Sequence, residues 1–240
     1  MNPTSPAAPP PLDLDRKLKW RLVPIVVFVL TLVALTVVAV GALRPPEPTT
    51  GLPDDPEMRL AQDAVRGYRV STGSYRFRSE FFGAEDAAGV VDPARLETAD
   101  SLLQIVLRSH PLDARVHAAL GGVELARKRL RHAETGFRRA CDLAGHYPDA
   151  RIGLGVTLAL RADMTPDPFE QRRLRLRAIA QLLDVRPGHP GEAVALYDRA
   201  RIAIDAERPE EARRAAARLE QIEPGGAAAE IERRIASPGR

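Results

Sequence analysis

The chain has 240 residues, 45% of them apolar and 28% charged, which is the composition of a folded protein and excludes a globally disordered one. Its net charge is only +3, and Cys141 is its only cysteine. An intrachain disulfide, a Cys-x-x-Cys redox pair, a thiolate zinc site and a Cys-x-x-Cys-His haem attachment are thereby excluded.

Residues 1 to 21 open with the proline-rich stretch MNPTSPAAPPPL and end in a basic flank, Arg16, Lys17, Lys19 and Arg21. This reads as a disordered cytoplasmic tail. From Leu22 to Leu43 there follow 22 residues without a charge, dominated by Val and Leu. At about 1.5 Å rise per residue such a helix spans a bilayer core of about 30 Å. Pro24 lies in the first turn, where it is tolerated, and Trp20 sits where an interfacial aromatic belongs. The cationic cluster precedes the apolar run, and Arg44 alone follows it before a proline-rich, acidic linker, residues 44 to 56. The positive-inside rule then places the N-terminus in the cytoplasm and residues 45 to 240 outside it, in the periplasm of a bacterial cell. Ala39-Val40-Gly41 also resembles a signal-peptidase site, but the run is longer than a signal core, which favours a retained single-pass anchor.

Residues 57 to 92 combine a leading amphipathic helix, EMRLAQDAVRGY, with an insert rich in aromatic residues. Tyr68, Tyr75, Phe77, Phe81 and Phe82 are interleaved there with Arg69, Arg76 and Arg78. Two readings are open: an exposed docking surface, since aromatics and arginine dominate interface hot spots, or local core closing the end of a helical stack.

Residues 93 to 224 carry a recurring pattern. Alanine leads, apolar or small residues follow four and seven positions on, and proline comes five beyond. It occurs as Ala99, Leu103, Val106 and Pro111; as Ala178, Leu182, Val185 and Pro190; and as Ala212, Ala216, Leu219 and Pro224. A looser copy has Ala133, Phe137 and Ala140, with Pro148 late. The leading alanines are 34, 45 and 34 residues apart. The long interval exceeds the others by 11 residues, close to three helical turns, so a lengthened hairpin keeps its facing pattern.

A period of 34 with this pattern resembles the tetratricopeptide repeat (TPR), in which each unit is a helix-turn-helix. Leu120-Gly121 and Leu154-Gly155 are similar to the family's first-helix dipeptide, and Ala200 holds the same slot 12 residues before Ala212. Glu124, Leu158 and Ala203 replace the family's aromatic residue, and Arg199 replaces a leucine. The resemblance implies an all-α, TPR-like helix-turn-helix solenoid, here preceded by one N-terminal transmembrane helix. Second helices are expected near 93 to 109, 131 to 145, 169 to 186 and 209 to 222, and first helices near 114 to 128, 149 to 162 and 192 to 206. Residues 225 to 240 are expected to hold a capping helix, AAAEIERRIA, and a tail.

Stacks of this family bind peptides or protein faces in a groove lined by first helices. By register, Arg115, Ala118, Gly122, Asp149, Ile152, Val156, Tyr197, Arg201 and Ile204 would face it. The candidate partner-binding residues are therefore Tyr75, Phe77, Phe81, Phe82, Arg115, Asp149, Tyr197 and Arg201. Phe169 joins them from the insertion RADMTPDPFEQ, which reads either as a projection or as a lengthened hairpin. Asn2 is the only asparagine, which rejects the Asn- and Lys-based carboxylate clamp of some family members.

Catalytic, cofactor and metal sites are not expected. The five histidines lie mainly at turns and form no i, i+4 ligand pair, and no phosphate loop or nucleophile elbow is present. Cys141 follows a small residue on a second helix and reads as an inert thiol. The expected role is an anchored scaffold that binds proteins, either helping to assemble a membrane complex or serving as a permanent accessory subunit of a respiratory, photosynthetic or envelope complex. A different class, a carrier of anionic ligand or nucleic acid, would use the basic middle, where residues 114 to 190 carry +6 against −5 over residues 45 to 113. The exported topology argues against nucleic acid.

Overall fold

The computed structural model describes residues 54 to 83, residue 89 and residues 92 to 237. All belong to the second of two compact units, Pro46–Arg240. The tail, the apolar run from Leu22 to Leu43 and most of the linker lie outside the described residues. Among the described residues no helix is long and apolar enough to cross a membrane.

Nine α-helices are present among the described residues: α1 Pro56–Val65, α2 Pro93–Ser109, α3 Ala114–Ala126, α4 Leu130–Leu143, α5 Pro148–Asp163, α6 Pro168–Leu183, α7 Glu192–Asp205, α8 Pro209–Ile222 and α9 Gly226–Ala236. Their starts follow from local chemistry. Asp55, Asp92 and Asp167 each precede a proline and accept a backbone N–H of the first turn, while the proline sits where no intrahelical donor is needed. Asp113 caps α3 in the same way through the Arg115 N–H, at 2.8 Å.

Consecutive helices pair as hairpins, α1 with α2, α3 with α4, α5 with α6 and α7 with α8, and neighbouring hairpins stack on one another. The repeat pattern is the reason. Ala99, Ala133, Ala178 and Ala212 are all fully buried, as are the positions four residues on, Leu103, Phe137, Leu182 and Ala216. The α3–α4 and α7–α8 turns share one backbone solution. Lys128 and Glu207 take the left-handed conformation, with φ 60° and 58°, and the next residue's N–H returns to the carbonyl of Glu124 or Ala203. The extra 11 residues of that interval fall within the α5–α6 hairpin: α5 is three residues longer than α3, the following connection is one residue longer, and ten residues of α6 precede Ala178 where three of α4 precede Ala133. Helix α9 packs on α8 and α7 and covers the end of the stack.

Helices α3 and α4 approach most closely at Gly121 and Gly136. A Cβ on Gly136 would lie 2.9 Å from the Gly121 Cα and 3.1 Å from the His117 carbonyl oxygen, both backbone atoms that cannot turn aside. Gly136→Ala is therefore expected to destabilise the chain by about 1–2 kcal/mol, because overpacking at about 1–3 kcal/mol outweighs alanine's helix advantage of up to about 1. A lower urea midpoint for the purified chain in mild detergent is the check, and an unchanged or higher midpoint would show that the helices can part.

Candidate functional site

Helices α3, α5 and α7 are the first helices of their hairpins and together line one inner face of the stack. That face is not empty. After α1 the chain turns at residues 72 to 75 and crosses that face as residues 75 to 83, a segment called here the strap, whose last residues, 79 to 83, form a second turn. The turn is closed by the Tyr75 N–H donating to the Thr72 carbonyl at 3.3 Å and the Thr72 hydroxyl donating to the Tyr75 carbonyl at 2.7 Å.

The strap crosses all three helices. On α7, the Arg76 N–H donates to Asp198 Oδ1 at 2.9 Å, and the Arg76 guanidinium lies 3.7 Å from the centre of the Tyr197 ring. On α5, the Tyr75 hydroxyl donates to Asp163 Oδ2 at 3.0 Å and the Glu80 N–H to Asp149 Oδ2 at 2.5 Å. On α3, Gly122 leaves room for two rings, since a Cβ there would lie 2.7 Å from Phe82 and 3.7 Å from Phe77. Arg78 reaches the Pro190 carbonyl at the approach to α7, and Gln62 of α1 donates to the Glu80 carbonyl at 3.0 Å.

The rings form one connected cluster. Phe81 and Phe82 meet edge to face at 5.3 Å, Phe77 and Phe82 at 6.1 Å, and Phe77 lies 6.1 Å from Phe137 of α4. Such edge-on pairs add about 0.5–1.5 kcal/mol each beyond area burial. Tyr75, Phe77, Phe81 and Phe82 are at most 5% exposed. They are therefore local core rather than an exposed docking surface, and they lie along the inner face, where Gly122 leaves room for the Phe77 and Phe82 rings.

The remaining sequence-derived candidates separate into two groups. Asp149 and Tyr197 lie on the inner face in contact with the strap. Tyr197 is held in place by the Glu230 carboxylate of α9, 3.2 Å from its hydroxyl, and Arg201 lies beside the same ring. Arg115 stands at the start of α3 with its guanidinium paired to Asp113 at 2.6 Å. Phe169 is far from this arrangement in character, 87% exposed in the first turn of α6, with Met164 exposed at the end of α5. Sequence reading missed Asp198 and Asp163, whose only signal was an acidic residue on a first helix among apolar neighbours. It also missed Gly153, where a Cβ would come within 2.3 Å of the Phe137 ring.

Electrostatics at the inner face follow from burial. Burial pushes the Asp149 carboxyl up to about 6; the Glu80 N–H opposes that shift and the Glu80 charge adds to it. The Tyr75 phenol is raised by its burial and by the nearby Asp163 and Asp205 carboxylates. Cys141 is raised to about 11, chiefly by burial, so its thiol stays protonated at neutral pH.

The basic middle of the chain is largely neutralised within the fold. Glu134, 5% exposed, receives Arg138 from its own helix, Arg161 from α5 and Arg177 from α6. Arg127 pairs with Asp100 and Glu124, Arg151 with Asp184, and Arg175 with Asp163. Arg127, Arg161 and Arg177 tie neighbouring hairpins together, while Arg151 and Arg175 bridge the two helices of the α5–α6 hairpin.

No family profile and no curated protein match the chain. Among solved structures it is similar to a thermophilic TPR protein of Thermus thermophilus, with 17% identity and a TM-score of 0.51 over 61% of this chain and 76% of that one. A likeness at that identity is a likeness of fold. With the hairpin pairing and the buried repeat positions, it establishes the described unit as an all-α, TPR-like stack of helix hairpins.

Proposed function

We propose that this chain is a single-pass, membrane-anchored scaffold whose TPR-like unit stands outside the cytoplasm, binds protein partners and assists the assembly or stability of a membrane protein complex. The observation that carries the reading is the pairing of two features in one chain: an uncharged run from Leu22 to Leu43 behind a cationic flank, and a stack of helix hairpins with a TPR-like fold. The first supports an anchor with the N-terminus in the cytoplasm. The second supplies a preorganised surface, so little ordering entropy opposes binding. Anchoring confines that surface near other membrane proteins and raises its effective concentration toward them.

Two measurements test the reading. A phosphatase that is active only outside the cytoplasm, fused after Arg240, is expected to be active, and a cytoplasmic signal would overturn the orientation. Mild-detergent purification of the full chain is expected to bring along a membrane or exported protein. A stoichiometric resident complex would make the chain an accessory subunit, and association only with immature partners would make it an assembly factor.

A further inference from the structure

The inner face is already occupied by the chain's own strap, and the manner of its holding describes a ligand. Resting on the scaffold reading above, we propose that residues 75 to 82 stand in for a partner: the inner face takes a segment of another protein that carries arginine between aromatic residues and ends in a turn, and this segment replaces the strap while the helix stack stays folded.

The contacts are those by which a peptide is read. Two backbone N–H groups four residues apart, those of Arg76 and Glu80, donate to carboxylates on different helices, Asp198 of α7 and Asp149 of α5. Arg76 opens the stretch and Glu80 stands at the start of the turn over residues 79 to 83, where the Gly83 N–H donates to the Ser79 carbonyl at 2.8 Å, so the two acids grip main chain irrespective of side chain. Selectivity comes from side chains. The Tyr197 face receives a guanidinium, the Asp163 carboxylate receives a phenol, and the seam at Gly122 and Phe137 receives two phenyl rings. Main-chain bonds for affinity and pockets for specificity are the division of labour in peptide recognition.

A core built only to stay closed gains little from this chemistry. Asp149 and Asp198 are 7% and 0% exposed, and buried carboxylates carry a desolvation penalty that apolar side chains of similar size would avoid. Their use makes sense where a main chain must be gripped and released.

The strap is also jointed. Gly67 after α1, Gly73 in the turn that precedes the strap and Gly83 at the strap's end have φ of 80°, 67° and 89°, and the space where a Cβ would stand is open at all three. A partly open cavity of about 220 Å³ lies between the outgoing arm and the start of the strap, lined by residues 69 to 77. The hairpins meanwhile pack directly on one another, α4 on α5 and α6 on α7, so the stack has contacts that do not pass through the strap. Being tethered, the strap competes at an effective concentration of the order of mM, and a partner confined to the same membrane is placed to match it.

The test uses a fluorescent peptide with the sequence of residues 72 to 83, TGSYRFRSEFFG, and anisotropy with the full-length chain in mild detergent. Arg76→Ala removes the stack on Tyr197 and leaves every ring of the strap in place. It is expected to bind the peptide at least about tenfold tighter than the unmodified chain, while a peptide with both the Phe77 and the Phe82 positions changed to alanine fails to compete. Arg78→Ala, which removes the exposed contact to Pro190 and a positive charge near Asp149 and His189, is expected to give a gain of about two- to threefold and carries the test if Arg76→Ala does not fold. Equal peptide binding by the natively folded variants and the unmodified chain overturns the proposal. So does concentration-dependent dimerisation of Arg76→Ala without peptide binding, which would show that a second copy's strap is the occupant. Because orientation and copurification are read on the unmodified chain, a negative peptide result leaves the scaffold reading standing and removes only this one.

Discussion

Phe137→Ala is expected to lower the stability of the folded unit by about 3–5 kcal/mol. The ring is 1% exposed and sits where α3, α4, α5 and the strap converge. Its neighbours on two sides are Gly121 and Gly153, whose missing side chains make room for it, at 2.9 Å and 2.3 Å from where each Cβ would stand. Glycine walls have no side chain to swing into the vacated space, so the cavity collapses poorly and the cost belongs in the upper part of the range. Urea unfolding of the full chain in mild detergent, followed by far-UV circular dichroism, measures it. A loss below about 1 kcal/mol would show that the ring is not a keystone of the stack. The same variant should loosen the strap, since Phe77 loses its partner 6.1 Å away.

Asp149→Asn is expected to have its main effect on how stability depends on pH. The folded-state pKa of about 6 stands above the ordinary carboxyl value of 3.8 because burial disfavours the charged form. Between those two values the folded chain binds more protons than the unfolded one, so stability falls as pH rises. The contribution of this group is fully present below the unfolded pKa and is lost as pH rises through the folded one, in all roughly 3 kcal/mol for a shift of about two units. Asparagine keeps an oxygen that can accept the Glu80 N–H and has no charge to bury. The variant should therefore lack that part of the decline between about pH 4 and pH 6 and be more stable than the unmodified chain at neutral pH. Parallel urea titrations across that window decide it. An unchanged slope would mean that Asp149 stays ionised throughout, and a large loss of stability at all pH values would mean that the charge itself holds the strap.

The arrangement of helices was readable residue by residue. The leading alanines, the apolar residues four and seven positions later and the terminating prolines lie on one face of each second helix by helical geometry alone, and all four alanines are fully buried. Asp-Pro steps at Asp55, Asp92 and Asp167 mark helix starts through bonds that span only two or three residues. The observed helices begin and end within three residues of the expected ones, because each signal is local. Register along the first helices also placed Gly122, Asp149 and Tyr197 on the inner face, where the strap meets them.

The aromatic insert was visible only as a cluster. Nothing in a non-repeating stretch states which surface it covers, and its decisive contacts join residues far apart in the chain: Arg76 to Asp198, Tyr75 to Asp163 and Glu80 to Asp149. The inner face exists only when three hairpins have stacked, so the seam at Gly122 and Phe137 and the carboxylates above it have no counterpart in any single repeat. By itself, then, the sequence determined the helices, their pairing and the phase of their buried faces, through periodicity, caps and breakers that act within a few residues. Only the tertiary structure decided that the inner face of the stack is filled by this chain's own strap, because that outcome depends on the shape and charge of a surface assembled from helices dozens of residues apart.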